Sequence, residues 1–364
     1  MSGGEVFADN KLNLTEGVTP LSHEIYNLHM YILWVCVVIG LLVYGILAYS
    51  IINHRKSKGV VPAKFHENTK LEIVWTVIPF VILLAMAIPA TRVMLDAYDT
   101  ADSDLTIKVT GYQWKWRYEY IGEGVDFFST LDAKSNEARQ QGSEISPASV
   151  ENYLLNVDNP LVIPINKKIR FLFTAADVIH SWWVPDFGWK KDTIPGFVTD
   201  GWVKVEKPGT YRGQCTELCG RDHGFMPIVV IAKTEEDYAQ WLAEKKGQTQ
   251  AEEQQAKVEA AATFTLDDLV AKGKTVYDAN CASCHQAGGE GIPGTFPAIT
   301  GSAVATGPIA DHIDVIMNGK GQMMPAFGSM LQPAEIAAVV TYQRNGLGNS
   351  VGDMAQPSDI PAKD

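Results

Sequence analysis

Two long apolar runs near the N-terminus constrain the fold of this chain more than any other feature. Residues 31–52 and 73–90 contain no formal charge. A helix over the first run is roughly 33 Å long, enough to cross the hydrocarbon core of a bilayer. Pro79 and Pro89 lie in the second run, and membrane helices tolerate proline better than soluble helices do. The two runs therefore favour membrane-spanning helices.

We predict a two-helix transmembrane hairpin over residues 26–96, with helices at about 28–52 and 72–95. A buried hairpin of a soluble protein is the alternative. A cleaved signal peptide does not fit, because the first run is too long and too far from Met1.

The basic residues predict the orientation of this hairpin. The loop between the runs carries one arginine and four lysines, whereas the first thirty residues contain only Lys11. Cytoplasmic loops are enriched in such residues, so the loop is expected inside the cell. Residues 1–25 and everything after the second helix are then periplasmic. The prediction is a multi-pass protein of the bacterial inner membrane.

The exposed part begins with strand patterns. Apolar and polar residues alternate at 105–110, 167–175 and 211–215, and residues 226–233 form a continuous apolar run. Short strands separated by turn signals are typical of a sandwich or barrel. We therefore predict an all-β domain over 97–236. Residues 134–152 are interpreted as a polar insertion loop.

The remainder of the chain has a different composition. Residues 237–263 have little apolar content and are predicted to form a helical or flexible linker. An all-α domain is expected over 264–347, with helices near 265–280, 308–318 and 333–345. Residues 348–364 form a tail whose Pro, Gly and Asp content favours disorder.

The all-α domain carries a haem-attachment motif. The stretch CASCH at 281–285 matches C-x-x-C-H, in which Cys281 and Cys284 bond the haem vinyl groups and His285 faces the iron. A thioredoxin-like C-x-x-C is the alternative, but it needs no following histidine. The carbonyl of Pro297 is a candidate acceptor for the His285 ring N–H.

Candidates for the sixth iron ligand follow the CASCH motif in the sequence. This region resembles the small class I cytochromes c, in which a methionine followed by proline is the usual ligand. That resemblance implies Met324 in GQMMPAFG, with Met323 as the second candidate. His312 is a third candidate, but its place in a helical stretch favours the surface.

A second cluster, CTELCGRDHGFM at 215–226, brings together four soft or imidazole ligands: Cys215, Cys219, His223 and Met226. A disulfide would leave the histidine and methionine unexplained, and methionine is a poor zinc ligand. Thiolate, thioether and imidazole together select copper. His180, in HSWWVP, is the candidate for a second imidazole.

This cluster resembles the dinuclear CuA centre, whose motif C-x-E-x-C-x-x-x-H-x-x-M lies between the last two strands of a cupredoxin barrel. The resemblance implies that Cys215 and Cys219 bridge two coppers, with one imidazole on each, from His180 and His223. It also implies Met226 as a weak ligand to one copper and the backbone carbonyl of Glu217 as a ligand to the other.

The resemblance extends to subunit II of haem–copper cytochrome c oxidases. It is carried by residues 72–79, by residues 111–120, which match the aromatic strand of that family, and by residues 177–196. It covers nearly all of residues 25–235, and the last domain resembles the cytochrome c fused to some bacterial members. It implies that Trp114 accepts electrons and that Glu72 lies at the mouth of a proton path. It further implies that the Glu217 carboxylate holds Mg²⁺ or Mn²⁺ shared with subunit I.

The resemblance implies an electron relay. Electrons would pass from cytochrome c or another small periplasmic donor through haem c and CuA to subunit I, where O₂ is reduced to water with proton pumping. Subunit I, subunit III and lipid are the expected partners, and no nucleic-acid patch is seen. The net charge of −12 suits a basic donor, and Asp177 and Asp192 are candidate docking carboxylates. A membrane-anchored copper-handling protein is the main alternative; a nitrous-oxide-reductase-like enzyme would need a propeller domain.

Overall fold

The computed structural model describes residues 13–140, 142–321 and 324–362. Two long helices, α1 (Pro20–Asn53) and α2 (Thr69–Tyr98), pack against each other at the N-terminus. Both are long and apolar enough to cross a membrane, and their most apolar stretches are not buried in the structure. Each extends a few residues beyond the range predicted from the apolar runs.

The N-terminal extension of α1 has a physical cause. The Thr19 side chain accepts a hydrogen bond from the Ser22 N–H and caps the helix. Thr19 also donates to the Phe187 carbonyl of the β-domain at 3.3 Å, and Leu21 is 3% exposed. At the end of α2, the Trp202 indole donates to the Asp96 carbonyl at 2.9 Å. These contacts attach the β-domain to the same end of the helical hairpin.

The β-domain consists of two five-stranded sheets, with strand orders β3-β2-β1-β5-β8 and β4-β10-β9-β6-β7. Side chains of both sheets, such as Phe171 and Trp182, meet in one buried core. The predicted all-β fold is confirmed, including the four strand patterns identified in the sequence. The strands are β1 (Leu105–Tyr112), β2 (Lys115–Tyr120), β3 (Val125–Ser129), β4 (Leu161–Pro164), β5 (Ile169–Ala175), β6 (His180–Trp183), β7 (Lys190–Thr193), β8 (Thr199–Val203), β9 (Gly209–Cys215) and β10 (Pro227–Lys233).

Two local expectations differ from the structure. Residues 111–120 do not form one strand, because the chain reverses at Gln113 and Trp114 and Tyr112 pairs with Lys115. The insertion at 134–152 is not entirely loop, since it overlaps a short helix, α3 (Ala133–Ala138), capped by Asp132.

A single helix, α4 (Glu235–Ala261), spans the predicted linker. Three acidic residues in its first turn complement the helix dipole. Tyr238 and Trp241 pack against the β-domain core, and Lys246 forms an ion pair with Glu123. Near the other end, Glu259 pairs with Lys272 of the helical module. The segment is therefore an ordered strap between the two domains.

The C-terminal module is all helical, as predicted. Its core is formed mainly by α5 and α9, which pack closely because Gly273 of α5 lies directly against the Ala338 backbone. Its helices are α5 (Leu266–Asn280), α6 (Ala282–His285), α7 (Ala303–Thr306), α8 (Ile309–Asn318) and α9 (Pro333–Asn345).

The tail after residue 347 is ordered over its described residues, so the expectation of disorder was wrong. Ala355 is fully buried and Ile360 is 8% exposed in the core of the module. Arg344, 1% exposed, donates to both carboxylate oxygens of Asp353 at 2.6 and 2.7 Å. The composition favoured disorder, but this ion pair and two buried apolar side chains hold the tail against the helical module.

We predict that truncation after residue 347 destabilises α9 by about 1.5–3 kcal/mol, because it removes the charge-assisted hydrogen bonds that Arg344 donates to Asp353. Hydrogen exchange of the α9 amides in graded urea measures this loss. An unchanged exchange rate would contradict the assignment.

Asp353→Asn is the matched control. The hydrogen bonds from Arg344 lower the pKa of Asp353, so its stabilisation is present above the unfolded-state pKa and is lost as the pH falls through the lower folded-state pKa. The Asn variant should lose this acid dependence while keeping the apolar tail contacts.

Candidate metal centre and haem cavity

The loop between β9 and β10 concentrates the sulfur ligands in a buried site. Cys215 ends β9 and is 6% exposed, Cys219 is 3% exposed, and Met226 is 2% exposed. The Cys219 sulfur lies 3.8 Å from the Cys215 sulfur, 3.6 Å from the Met226 sulfur and 3.5 Å from His223 Nδ1. Both cysteines are free, and their separation far exceeds a disulfide bond length.

His180 reaches the same site from the neighbouring strand. Pairing of β6 with β9 sets Trp182 opposite Cys215, so His180 lies beside the loop. Its ring is fully buried and groups with the two thiols, all ligand atoms being within 4.8 Å of one another. A Cβ on Gly111 would lie 2.7 Å from the imidazole, so glycine leaves the space for this ring.

The donor set fits copper. His180 Nε2 donates to Asp177 at 2.9 Å, whereas Nδ1 is buried without a hydrogen-bond partner among the described residues. A hydrogen bond with Cys219 lowers the pKa of the Cys215 thiol, and the same pairing raises the pKa of Cys219. One thiolate, a free imidazole lone pair and a thioether suit a soft metal ion, whose binding would release the second thiol proton.

Glu217 presents its backbone to this site, because its carbonyl oxygen lies 3.4 Å from the Cys215 sulfur. Its side chain is partly exposed at the surface of the loop. Glu72, by contrast, is exposed in the first turn of α2, roughly 40 Å along the helix from its β-domain end. The structure does not bring Glu72 to the metal centre.

Asp177 is not a docking carboxylate, because its side chain is only 6% exposed. One oxygen accepts from His180 Nε2 and the other accepts from the Gln113 N–H at 2.7 Å. It therefore orients the imidazole and the adjoining turn, a role that sequence reasoning missed. Asp192 remains accessible at 45% and accepts from the Ser181 hydroxyl.

Trp114 contacts the metal-binding loop directly. Its indole N–H donates to the Cys219 carbonyl at 3.1 Å, and the Gln113 amide donates to the same oxygen at 3.0 Å. Trp116 is fully buried and donates to the Met226 carbonyl at 3.2 Å. Of these two tryptophans, only Trp114 also lines the cavity next to the haem-attachment motif.

That cavity has a volume of about 430 Å³ and lies in the helical module. His285 Nδ1 lies 2.9 Å from the Pro297 carbonyl oxygen, which leaves Nε2 free to face an iron. The cavity is mostly apolar, as a haem requires. Its lining includes Cys281, Cys284, His285, Pro297 and Met324, together with Gln113 and Trp114 of the β-domain.

His312 does not lie on the surface, so that expectation was wrong. It is 3% exposed and lines the cavity, with Nε2 at 2.8 Å from the Gln343 amide oxygen. Burial lowers its pKa, so the neutral ring is favoured. The amphipathic pattern of α8 was the signal for burial. Met323 lies outside the described residues, and its candidacy as a ligand stays a prediction.

Family models match three parts of the chain. Residues 8–93 match "Cytochrome C oxidase subunit II, transmembrane domain", and residues 105–233 match "Cytochrome C oxidase subunit II, periplasmic domain". Residues 268–342 match "Cytochrome C oxidase, cbb3-type, subunit III".

Individual proteins show the same similarity. Probable cytochrome c oxidase subunit 2 of Rickettsia felis is 42% identical over 62% of this chain and 69% of its own length. Cytochrome c oxidase subunit 2 of Cereibacter sphaeroides is 38% identical over 64% of this chain and 79% of its own length. The crystal structure of the periplasmic domain of subunit II of cytochrome oxidase of Bradyrhizobium japonicum is 40% identical, covering 41% of this chain and 99% of that one, with a TM-score of 0.35.

The Asp177–His180 contact predicts the effect of a single substitution. Asp177→Asn should lower copper affinity by roughly 10- to 100-fold, because the amide no longer fixes the ring and the Gln113 N–H together. A copper-competition titration measures this change. Asp192→Asn, at an accessible carboxylate, is the control and should bind copper as the wild type does. Equal affinity in both variants would refute the orienting role.

Proposed function

The chain belongs to the cytochrome c oxidase subunit II family, and on that premise we propose that it relays single electrons from an external donor to the oxygen-reducing subunit. It is a component of an oxidoreductase complex and carries a cytochrome c module. The proposed partners are subunit I, where O₂ is reduced to water with proton pumping, subunit III, and cytochrome c or another small periplasmic donor.

The observation that carries this proposal is the position of Trp114. It lines the haem cavity and donates a hydrogen bond to the backbone of Cys219. We assign Cys215, Cys219, His180, His223, Met226 and the Glu217 carbonyl to two copper ions. Copper there and haem at Cys281 and Cys284 would supply the one-electron carriers. A copper-handling protein would need neither the haem motif nor this tryptophan contact.

The residues around the haem cavity would set the reduction potential of a haem bound there. Pro297 holds His285 in one tautomer, and Met324 lies on the cavity wall as the proposed sixth ligand. A thioether ligand raises the reduction potential of a haem. The mostly apolar lining of the cavity would limit the access of water to a bound haem and so influence its reduction potential.

The membrane side of the proposal concerns subunit I. The two transmembrane helices anchor the chain, and we assign the membrane to the bacterial inner membrane with the β-domain and haem module in the periplasm. We propose that the Glu217 carboxylate holds Mg²⁺ or Mn²⁺ at the contact with subunit I, because carboxylates are suitable hard ligands. Glu72 is proposed to lie at a proton-path entrance, where its exposure leaves it open to a partner.

The full chain, purified with copper and haem, tests the proposal by EPR and optical spectroscopy. We expect hyperfine structure from one electron shared equally by two coppers, beside a c-type haem band. Cys219→Ser should abolish the shared signal and retain the haem band, whereas Cys36→Ser in the membrane helix should change neither. A single-copper signal in the wild type would favour the copper-handling alternative.

Substitution of the proposed sixth ligand should lower the haem potential. For Met324→Ala we expect a fall within the roughly 0.8 V range over which axial ligands set haem potentials. Redox titration of the full chain measures it. Met354→Ala, at an exposed methionine of the same module, is the control. An unchanged potential in Met324→Ala would transfer the role to Met323 or His312.

A further inference from the structure

The two candidate cofactor-binding loops touch each other. Arg221 lies between Cys219 and His223, and its guanidinium donates a hydrogen bond to the Ser283 carbonyl. Ser283 lies between Cys281 and Cys284 of the haem-attachment motif. A side chain of the loop at 215–226, called the copper loop below, is therefore hydrogen-bonded to the backbone of residues 281–285, called the haem loop.

A second basic residue makes a parallel contact. The Lys115 ammonium, at the start of β2, donates to the Asn280 side-chain oxygen at 3.1 Å. It also lies 4.5 Å above the ring of Phe128. Burial lowers the pKa of Lys115, while the charge of Glu335 in the helical module acts in the opposite direction. The ammonium is thus enclosed between the two domains.

The polarity of these contacts is complementary. Asn280 is the last residue of α5 and Ser283 belongs to the short α6 that follows. Helix C-termini carry partial negative charge, which favours nearby cations. Both cations come from the β-domain and both acceptors come from this one corner of the helical module.

Arg221 is itself supported from within the β-domain. Its Nε lies 3.9 Å from Asp222, whose side chain is 8% exposed. Asp222 also pairs with Arg139 at 3.2 Å, and the Arg139 guanidinium stacks 4.3 Å from the Phe225 ring. Asp222 therefore lies between the insertion and the residue that contacts the haem loop.

We propose that Lys115 and Arg221 act as a basic clamp that holds the helical module in one docked position, with its haem cavity closed on Trp114. The clamp rests on the proposed function only in that the cavity is taken to hold haem. Lys115 and Arg221 are positioning residues: they fix the distance between the modules. Helix α4 tethers the module, but a coil at residues 262–265 separates it from α5, so the tether alone leaves the orientation open.

Hydroxyl-radical footprinting of the full chain in phospholipid nanodiscs tests the clamp through oxidation of the Trp114 side chain. Arg221→Glu should shift the docking equilibrium toward the open form by roughly tenfold or more, the loss expected for a charged hydrogen bond. Oxidation of Trp114 should then rise severalfold. Lys204→Glu makes the same charge change at an exposed site of the β-domain and should leave Trp114 protected.

The fully buried Trp182 reports folding in the same samples, and it should stay unmodified. If Arg221→Glu exposes Trp182, Arg221→Gln and Lys115→Met replace it, with the same expectation for Trp114. Equal oxidation of Trp114 in the folded clamp variants and in Lys204→Glu would overturn the clamp and show that α4 alone sets the position.

Optical and EPR spectra of these samples separate the clamp from the proposed function. Intact copper and haem signals with an unresponsive Trp114 would reject the clamp and leave the relay standing. A Trp114 that responds to Arg221→Glu in chains lacking the shared copper signal would support the clamp and reject the relay.

Discussion

The antiparallel pairing of β6 with β9 is the constraint on which the metal centre depends. It sets Trp182 opposite Cys215 and so brings His180 beside two thiols that follow it by more than thirty residues. The large buried side chain of Trp182 anchors this pairing in the core. Because the register is fixed by burial of one face, a slip by one residue would carry the imidazole away from the sulfur atoms.

Asp177 connects the metal centre to the neighbouring turn at Gln113 and Trp114. One carboxylate holds both the His180 ring and the backbone of the turn that carries Trp114. The Trp114 indole then bonds back to the Cys219 carbonyl, so the turn and the copper loop support each other. Trp114 is therefore held in a fixed position relative to the metal ligands, and it also lines the haem cavity.

The connections between the domains are also ordered in the structure. The end of α1 and the end of α2 are each bonded to the β-domain, and α4 packs along it before reaching the helical module. The membrane hairpin, copper loop and haem loop are consequently linked by ordered structure through the described part of the chain. Such an arrangement suits a relay, in which the separation of the carriers matters more than chemistry at any one side chain.

The sequence alone determined the elements whose signals are local. Uncharged length predicted the two membrane helices, alternation predicted the strands, and ligand spacing within CASCH and CTELCGRDHGFM identified two cofactor motifs. The partners of buried polar side chains could not be predicted in this way. The pattern of α8 indicates that His312 is buried but does not identify Gln343 as its partner, and nothing in the sequence near Asp177 shows that it pairs with His180.

Tertiary structure decided the remainder. The composition of the tail favoured disorder, yet Asp353 pairs with the buried Arg344 of α9, and Ile360 packs in the core of the module. The contact of Arg221 with Ser283 joins residues far apart in sequence. Composition and spacing record what a segment can do by itself, whereas burial and docking depend on surfaces that exist only after the chain has folded.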